Sequence, residues 1–402
     1  MRRSLSAMGF RESGDDEPAD ICVVNTCAVT AEAARKSRQA ARKLRKFSPN
    51  AKTWIIGCAA EKPQTELANL PDEIIFVGND EKENLAKIIA AEFPENMQPV
   101  PLTGGRIRAY LKVQDGCDSF CSYCIIPYLR GRSRSRKPQE LVEELKQLED
   151  AGYSEVVLTG IHLGDYGKHL EPRINLAGLL DQMLEATSIP RIRLSSLEPM
   201  DFSWDLPEVF KKHPRICRHL HLPLQHGSDR ILKLMNRKYT LQEYDEIIRK
   251  SVEFFPEIAI TTDVMVGFPG ETDEDFENME NYIRTAPFFQ LHCFPYSKRT
   301  GTKAASMAGI VPSGIKKDRL HRLLDLSRQK TEQFLDGYIG KEVEVLFEHF
   351  DDKGMLTGHT GNYMETAVEG GEDLRGVIST VSVTKRSGEK LYGKRTGHLC
   401  NR

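Results

Sequence analysis

Cys117-Asp118-Ser119-Phe120-Cys121-Ser122-Tyr123-Cys124 puts three thiols on one short stretch of chain with no fourth ligand beside them. A structural zinc or disulfide loop is the plainer reading, but zinc sites take four N or S ligands in paired spacings. Clusters of the 4Fe-4S kind normally use four thiolates. A set of three leaves one iron open, and an open coordination position is where a metal site does chemistry. The stretch therefore predicts an iron-sulfur cluster with one reactive iron.

Outward from this loop, strand-like runs alternate with amphipathic helical segments from about residue 107 onward, the rhythm of parallel β/α units. The strands are expected at 109–114, 155–160, 191–196, 219–224, 258–267 and 291–297. A crossover helix over 138–151 carries Leu141, Val142, Leu145 and Leu148 on one face, Pro138 near its start and Gly152 just beyond its end. Six units are too few to close an eight-stranded barrel, so an open, partial (β/α)6 barrel is expected, its site at the C-terminal ends of the strands. The cysteine stretch follows the first strand, where that site belongs.

Residues 1–98 read as a separate α/β domain with strands near 21–25, 53–57 and 74–77. Cys27 and Cys58 sit just past two of these strands, while Cys22 lies within one and is read as packing. After the barrel domain, 103–335, a long helix over 316–338 leads into residues 338–402. This last segment has strand alternation at 342–350, 363–368, 375–384 and 391–394 and reads as a small β-barrel.

The 402 residues carry a net charge of −2, so any nucleic-acid contact must come from local basic patches. No apolar run reaches membrane-spanning length. The N-terminus lacks a secretory apolar stretch, so a reducing, cytoplasmic setting is expected, with cysteines serving as ligands.

The chain resembles the radical S-adenosylmethionine (SAM) methylthiotransferases. The resemblance is carried by the C-x3-C-x2-C loop, Asn25-Thr26-Cys27, Gly57-Cys58-Ala59, Arg130-Gly131-Arg132, Ser195 to Pro199, Leu222 to Gln225 with Gly227 to Asp229, and Asp263 to Glu271. Leu158 to Gly167 and Phe294 to Ser297 look most like the branch acting on N6-threonylcarbamoyladenosine in tRNA, and Gly358 to Tyr363 is similar to the TRAM domain, an RNA-binding β-barrel.

The resemblance implies methylthiolation of that nucleoside at position 37, beside the anticodon, with the tRNA anticodon stem-loop as partner and a flavodoxin or ferredoxin as electron donor. It further implies a SAM-binding 4Fe-4S cluster on Cys117, Cys121 and Cys124, which passes an electron to SAM so that a 5′-deoxyadenosyl radical abstracts hydrogen. Glu198, Gln225, Arg237 and Asp263 are the implied SAM contacts, with Arg237 on the helix after Gln225, and Gly267 to Gly270 forms a tight turn under the adenine. A second 4Fe-4S cluster, the sulfur donor, takes Cys27, Cys58 and a third cysteine that family spacing puts upstream of Met1. This chain is thus expected to hold its second cluster poorly. Rival readings are the same chemistry on isopentenyladenosine in tRNA or on a ribosomal-protein aspartate, and a non-catalytic RNA-binding iron-sulfur protein.

Three basic groups are RNA candidates. Seven residues from Arg35 to Lys46 are read as distributed round a helix. Arg130, Arg132, Arg134, Arg136 and Lys137 follow the cysteine loop. Lys385, Arg386, Lys390, Lys394 and Arg395 accompany His359, Tyr363 and Tyr392 in the C-terminal barrel. Removing residues 340–402 is expected to weaken tRNA binding and spare the SAM cluster. His162, His226 and His292 are read as packing or polar lining.

Overall fold

The computed structural model describes residues 1–14, 17–61, 67, 70, 74–93 and 107–398; the expected boundary between 98 and 103 lies outside them. Two compact units result, Met1–Gly105 with Tyr123–Gly131 and Ser297–Ser306, and Arg106–Ser122 with Arg132–Tyr296 and Met307–Arg402.

In the first unit β1 (Ile21–Thr26), β2 (Lys52–Gly57) and β3 (Ile74–Val77) form a parallel sheet in that order. The central strand is buried along nearly its whole length, as expected for a parallel strand covered on both faces. Helices α1 (Arg2–Ala7), α2 (Ala31–Phe47) and α3 (Leu85–Glu92) complete this part, with Trp54, Ile56, Val77, Leu85 and Ile89 as its core. The short helix α4 (Ile126–Arg130) belongs to the same unit.

The second unit begins with β4 (Arg108–Lys112), followed by the small β5 (Gln114–Asp115) and β6 (Arg134–Ser135) pair. Then come α5 (Pro138–Asp150), β7 (Glu155–Thr159), α6 (Leu176–Ala186), β8 (Arg191–Leu194), α7 (Leu206–Lys212), β9 (His219–His221), α8 (Asp229–Leu234), α9 (Leu241–Phe254), β10 (Ala259–Val266), α10 (Asp273–Thr285) and β11 (Gln290–Pro295). All six strands expected from the β/α rhythm are present. They run as two parallel three-stranded arcs, β4-β7-β8 and β11-β10-β9, joined by the Ile192–Ile216 bridge. The barrel is open, and Leu141, Leu145 and Leu148 of α5 enter its core.

The helix α11 (Ser313–Asp336) leads to a closed five-stranded barrel of β12 (Glu342–Phe350), β13 (Leu356–Thr360), β14 (Glu365–Val368), β15 (Ile378–Ser387) and β16 (Lys390–His398), in the order β12-β13-β14-β16-β15. The sequence reading had four of these strands. β13 escaped it because Gly358 and His359 interrupt the apolar alternation. The glycine is required there, since a Cβ would lie 2.0 Å from the Leu346 carbonyl oxygen across the pair.

This small barrel docks on the N-terminal ends of the parallel strands. Glu155, wholly buried, takes Arg193 in a two-point pair (Nε–Oε1 2.9 Å, Nη2–Oε2 3.2 Å) and Arg108 at 2.8 Å. Arg193 also donates to the carbonyls of Gly361 and Thr360, both at 3.0 Å, and Arg108 reaches Glu348 at 2.7 Å. The Tyr363 ring stacks on His219 at 5.0 Å with the Arg193 guanidinium 4.4 Å from its centre. The strand ends thus carry buried cations and a carboxylate, because the second barrel supplies their polar partners.

Candidate active site

At the opposite, C-terminal strand ends, the chain leaves β4 through β5 and Gly116 into the cysteine stretch. The turn after α8 cradles it. Ser122 donates Oγ–H to the Leu234 carbonyl at 2.8 Å and its N–H to the Met235 carbonyl at 2.9 Å, while the Asn236 amide donates to the Phe120 carbonyl at 2.9 Å. Phe120 and Asn236 both have left-handed backbone, at φ 47° and 61°. Such a conformation costs of order 1 kcal/mol for a bulky residue and persists only where the surroundings impose it.

Charged donors surround the thiols of this unit. Arg237 Nη1 lies 3.4 Å from Cys121 Sγ, and its Nη2 pairs with Glu198. Arg237, expected on the helix after Gln225, lies beyond it, since α8 ends at Leu234 and the left-handed Asn236 turns the chain back toward the cysteine. Burial raises the Cys121 pKa despite Arg237. At Cys117 burial also acts to raise the value, but hydrogen bonds from His162 and Ser119 prevail and lower it. A donor set of soft sulfurs held by cationic hydrogen-bond donors fits a thiolate-ligated cluster.

His162, read from sequence as lining, is the residue that reading undervalued. Its Nδ1 lies 3.8 Å from Cys117 Sγ and 3.3 Å from Ser119 Oγ, and its Nε2 lies 2.8 Å from Asp201. Burial disfavours the charged ring, yet the bonds to Asp201 and Cys117 outweigh it and raise its pKa to about 10. The histidine and Asp201 are 39 residues apart, so no local pattern announces them.

Gln225 and Asp263 stand on adjacent strand ends, bridged by Gln225 N–H to the Asp263 carbonyl at 2.8 Å. Gln225 has φ 64°, and its buried Oε1 accepts no hydrogen bond among the described residues; Ser195 Oγ, past the end of β8, is equally unpartnered. Orphaned buried acceptors at strand C-termini mark where a polar ligand belongs. Asp263 faces His221 Nε2 at 3.4 Å. The tight turn at Gly267 is held by Glu271, which accepts the N–H groups of Gly267 and Phe268 at 2.6 and 3.1 Å. His226, wholly buried, sits 3.5 Å from the same carboxylate.

In the first unit the register pairs Thr26 with Gly57, so Cys27 and Cys58 are the first residues past equivalent ends of adjacent strands. Gly57, at φ 93°, permits this approach, because a Cβ would lie 2.4 Å from the Thr26 carbonyl oxygen. Cys27 is exposed and Cys58 buried. Arg130, expected on an RNA backbone, instead donates Nε–H to Cys58 Sγ at 3.1 Å. The other cations expected there are partly engaged as well: Arg132 pairs with Asp118 at 2.9 Å and Arg136 with Glu144 at 2.8 Å. Cys22 is buried, as read.

Residues 111–283 match the family model described as the radical SAM superfamily, and residues 1–78 that described as the uncharacterized protein family UPF0004. Among solved structures, the radical SAM methyltransferase TsrM from Kitasatospora setae superposes with a TM-score of 0.54 at 15% identity, over 72% of this chain and 66% of that one. The fold and its cysteine loop define a radical SAM enzyme.

The particular family follows from whole-length relatives. A Bacillus subtilis threonylcarbamoyladenosine tRNA methylthiotransferase, MtaB, is 38% identical over 94% of this chain and 88% of its own length, and a Chlamydia pneumoniae protein of the same name is 39% identical over 89% and 85%. A tRNA-2-methylthio-N(6)-dimethylallyladenosine synthase of Pelotomaculum thermopropionicum is 34% identical over 98% and 92%. The chain belongs to the radical SAM tRNA methylthiotransferase family. Among the described residues no helix is long and apolar enough to cross a membrane.

Proposed function

We propose that this chain converts N6-threonylcarbamoyladenosine at tRNA position 37 to its 2-methylthio derivative. The reading is carried by the three-cysteine loop at the mouth of a partial β/α barrel, in a chain 38–39% identical along most of its length to two threonylcarbamoyladenosine methylthiotransferases. The target C–H bond is strong and nonpolar, so no acid or base in the chain can activate it. Cys117, Cys121 and Cys124 would hold a 4Fe-4S cluster, which when bound would supply an electron for the cleavage of SAM, and Cys27 and Cys58 would belong to the ligand set of a second, sulfur-carrying cluster.

The chain's own residues bind and orient. Arg237 holds the Cys121 sulfur and aligns Glu198, whose carboxylate is the candidate partner of the SAM amine. Gln225 offers its unpaired Oε1 to a ribose hydroxyl, and Asp263, which faces His221, presents its carboxylate from the next strand. His162, clamped by Asp201, donates toward Cys117 and fixes that thiolate's direction. We assign residues 1–98, 103–335 and 338–402 to the methylthiotransferase, radical SAM and TRAM-like domains. The setting is the cytoplasm, with a flavodoxin or ferredoxin as electron donor.

The test is mass spectrometry of tRNA nucleosides from a host lacking the endogenous enzyme, with and without this chain. Appearance of 2-methylthio-N6-threonylcarbamoyladenosine supports the assignment. Methylthiolation of isopentenyladenosine alone moves the chain to the other branch, and no new nucleoside refutes both.

A further inference from the structure

The basic run between Arg35 and Lys46 does not go round its helix. At roughly 100° per residue its seven cations cover about half the circumference of α2. The other half carries Ala34, Ser37 and Ala41, all buried, with Ala40 and Leu44 and, toward its edge, Phe47 exposed beside them. Lys36, Arg42, Lys43 and Lys46 are exposed, and the only acidic residue of the helix, Glu32, is occupied by Arg35 at 2.7 Å. Like charges three and four residues apart weaken a helix. Favourable interaction with the helix C-terminus explains only Arg45 and Lys46 in the last turn.

The helix is also fastened to a cysteine loop of its own unit. Thr30 caps it by accepting from the Ala33 N–H at 3.0 Å, and Ser37 Oγ accepts the Cys27 N–H at 3.3 Å. The positive face thus runs for about 17 Å along the helix, away from the loop of Cys27. A basic helix that inserts into lipid needs a broad apolar face to bury. Here the face opposite the charges is mostly packed within the unit, and its exposed large apolar side chains are two, Leu44 and Phe47, too few to make a broad lipid-facing surface.

We infer that the exposed face of α2 is a phosphate-backbone track for the substrate RNA, holding the anticodon stem-loop so that its modified base comes to Cys27. This rests on the tRNA reading above and adds the surface that binds it.

The variant Lys36→Gln/Lys43→Gln/Lys46→Gln tests it with the full chain, reconstituted with iron and sulfide, against unmodified tRNA and its anticodon stem-loop at several salt concentrations. Three lost phosphate contacts are expected to weaken binding about tenfold or more at low salt and to flatten the slope of log affinity against log salt by roughly 2–3. Iron content and tRNA-independent SAM cleavage stay as in the parent, and Lys43→Arg, which keeps the charge, leaves affinity and salt slope unchanged. Unchanged affinity and slope overturn the inference while leaving the tRNA reading intact. A parent that binds no tRNA overturns both. Charge-dependent binding to anionic phosphatidylserine vesicles, with tRNA binding unaffected by the substitutions, assigns the face to a membrane instead.

Discussion

Glu155 and Arg193 form a wholly buried two-point ion pair at the floor of the partial barrel, and Arg193 in turn holds the carbonyls of Thr360 and Gly361 in the C-terminal barrel. Burial acts to raise the Glu155 pKa, but the charges of Arg193 and Arg108 outweigh it and hold the carboxyl below its usual range. The pair ties two barrels together through groups that water can no longer solvate.

Replacing Glu155 by Gln is expected to destabilise the protein by about 3 kcal/mol, because it strands two buried guanidinium groups. A depressed carboxyl pKa contributes stability above its unfolded value and loses it as pH falls through the folded one. The parent should therefore lose stability steeply below about pH 4, and Glu155→Gln should show a flatter acid limb in urea unfolding.

Deleting residues 340–402 would uncover this same network and leave Arg193 and Arg108 without their partners in the C-terminal barrel. His359 and Tyr363, read from sequence as RNA-stacking residues, make contacts to Glu348, His219 and Arg193. Arg386 pairs with Asp336, and Lys390 with Asp351 and Glu365. Lys385, Lys394 and Arg395 remain exposed. Changing these three to Gln should weaken tRNA binding several-fold with an unaltered melting temperature, whereas the truncation should lower that temperature or abolish folding.

Arg237→Lys keeps the charge but loses the planar fork that serves Cys121 and Glu198 together. Reductive cleavage of SAM should fall by about tenfold, the worth of one charged hydrogen bond, with iron per chain retained. Quantifying 5′-deoxyadenosine against iron separates this from loss of the cluster.

Cys121→Ala should abolish SAM cleavage. Cys58→Ala should leave it and stop methylthio formation, and Arg130→Ala should act in the same direction because its Nε–H is given to the Cys58 sulfur. Equal loss of SAM cleavage in all three would contradict the division of labour between the two cysteine sets.

The sequence by itself determined the three-thiol loop, the six β/α repeats and the cysteines past β1 and β2. These are matters of local spacing and of a hydrophobic period that a strand or helix imposes on its own residues. The half-faced charge of α2 was equally present in the spacing of Arg35 to Lys46, but it needed the buried Ala34, Ser37 and Ala41 to show which half faces solvent. Tertiary structure alone decided the rest. It brought Asp201 and His162 to Cys117, Arg130 to Cys58, and Glu155 beneath the C-terminal barrel. In each case a polar group is satisfied by another far away in the chain, and the cost of burying it unpaired is set by the folded surroundings.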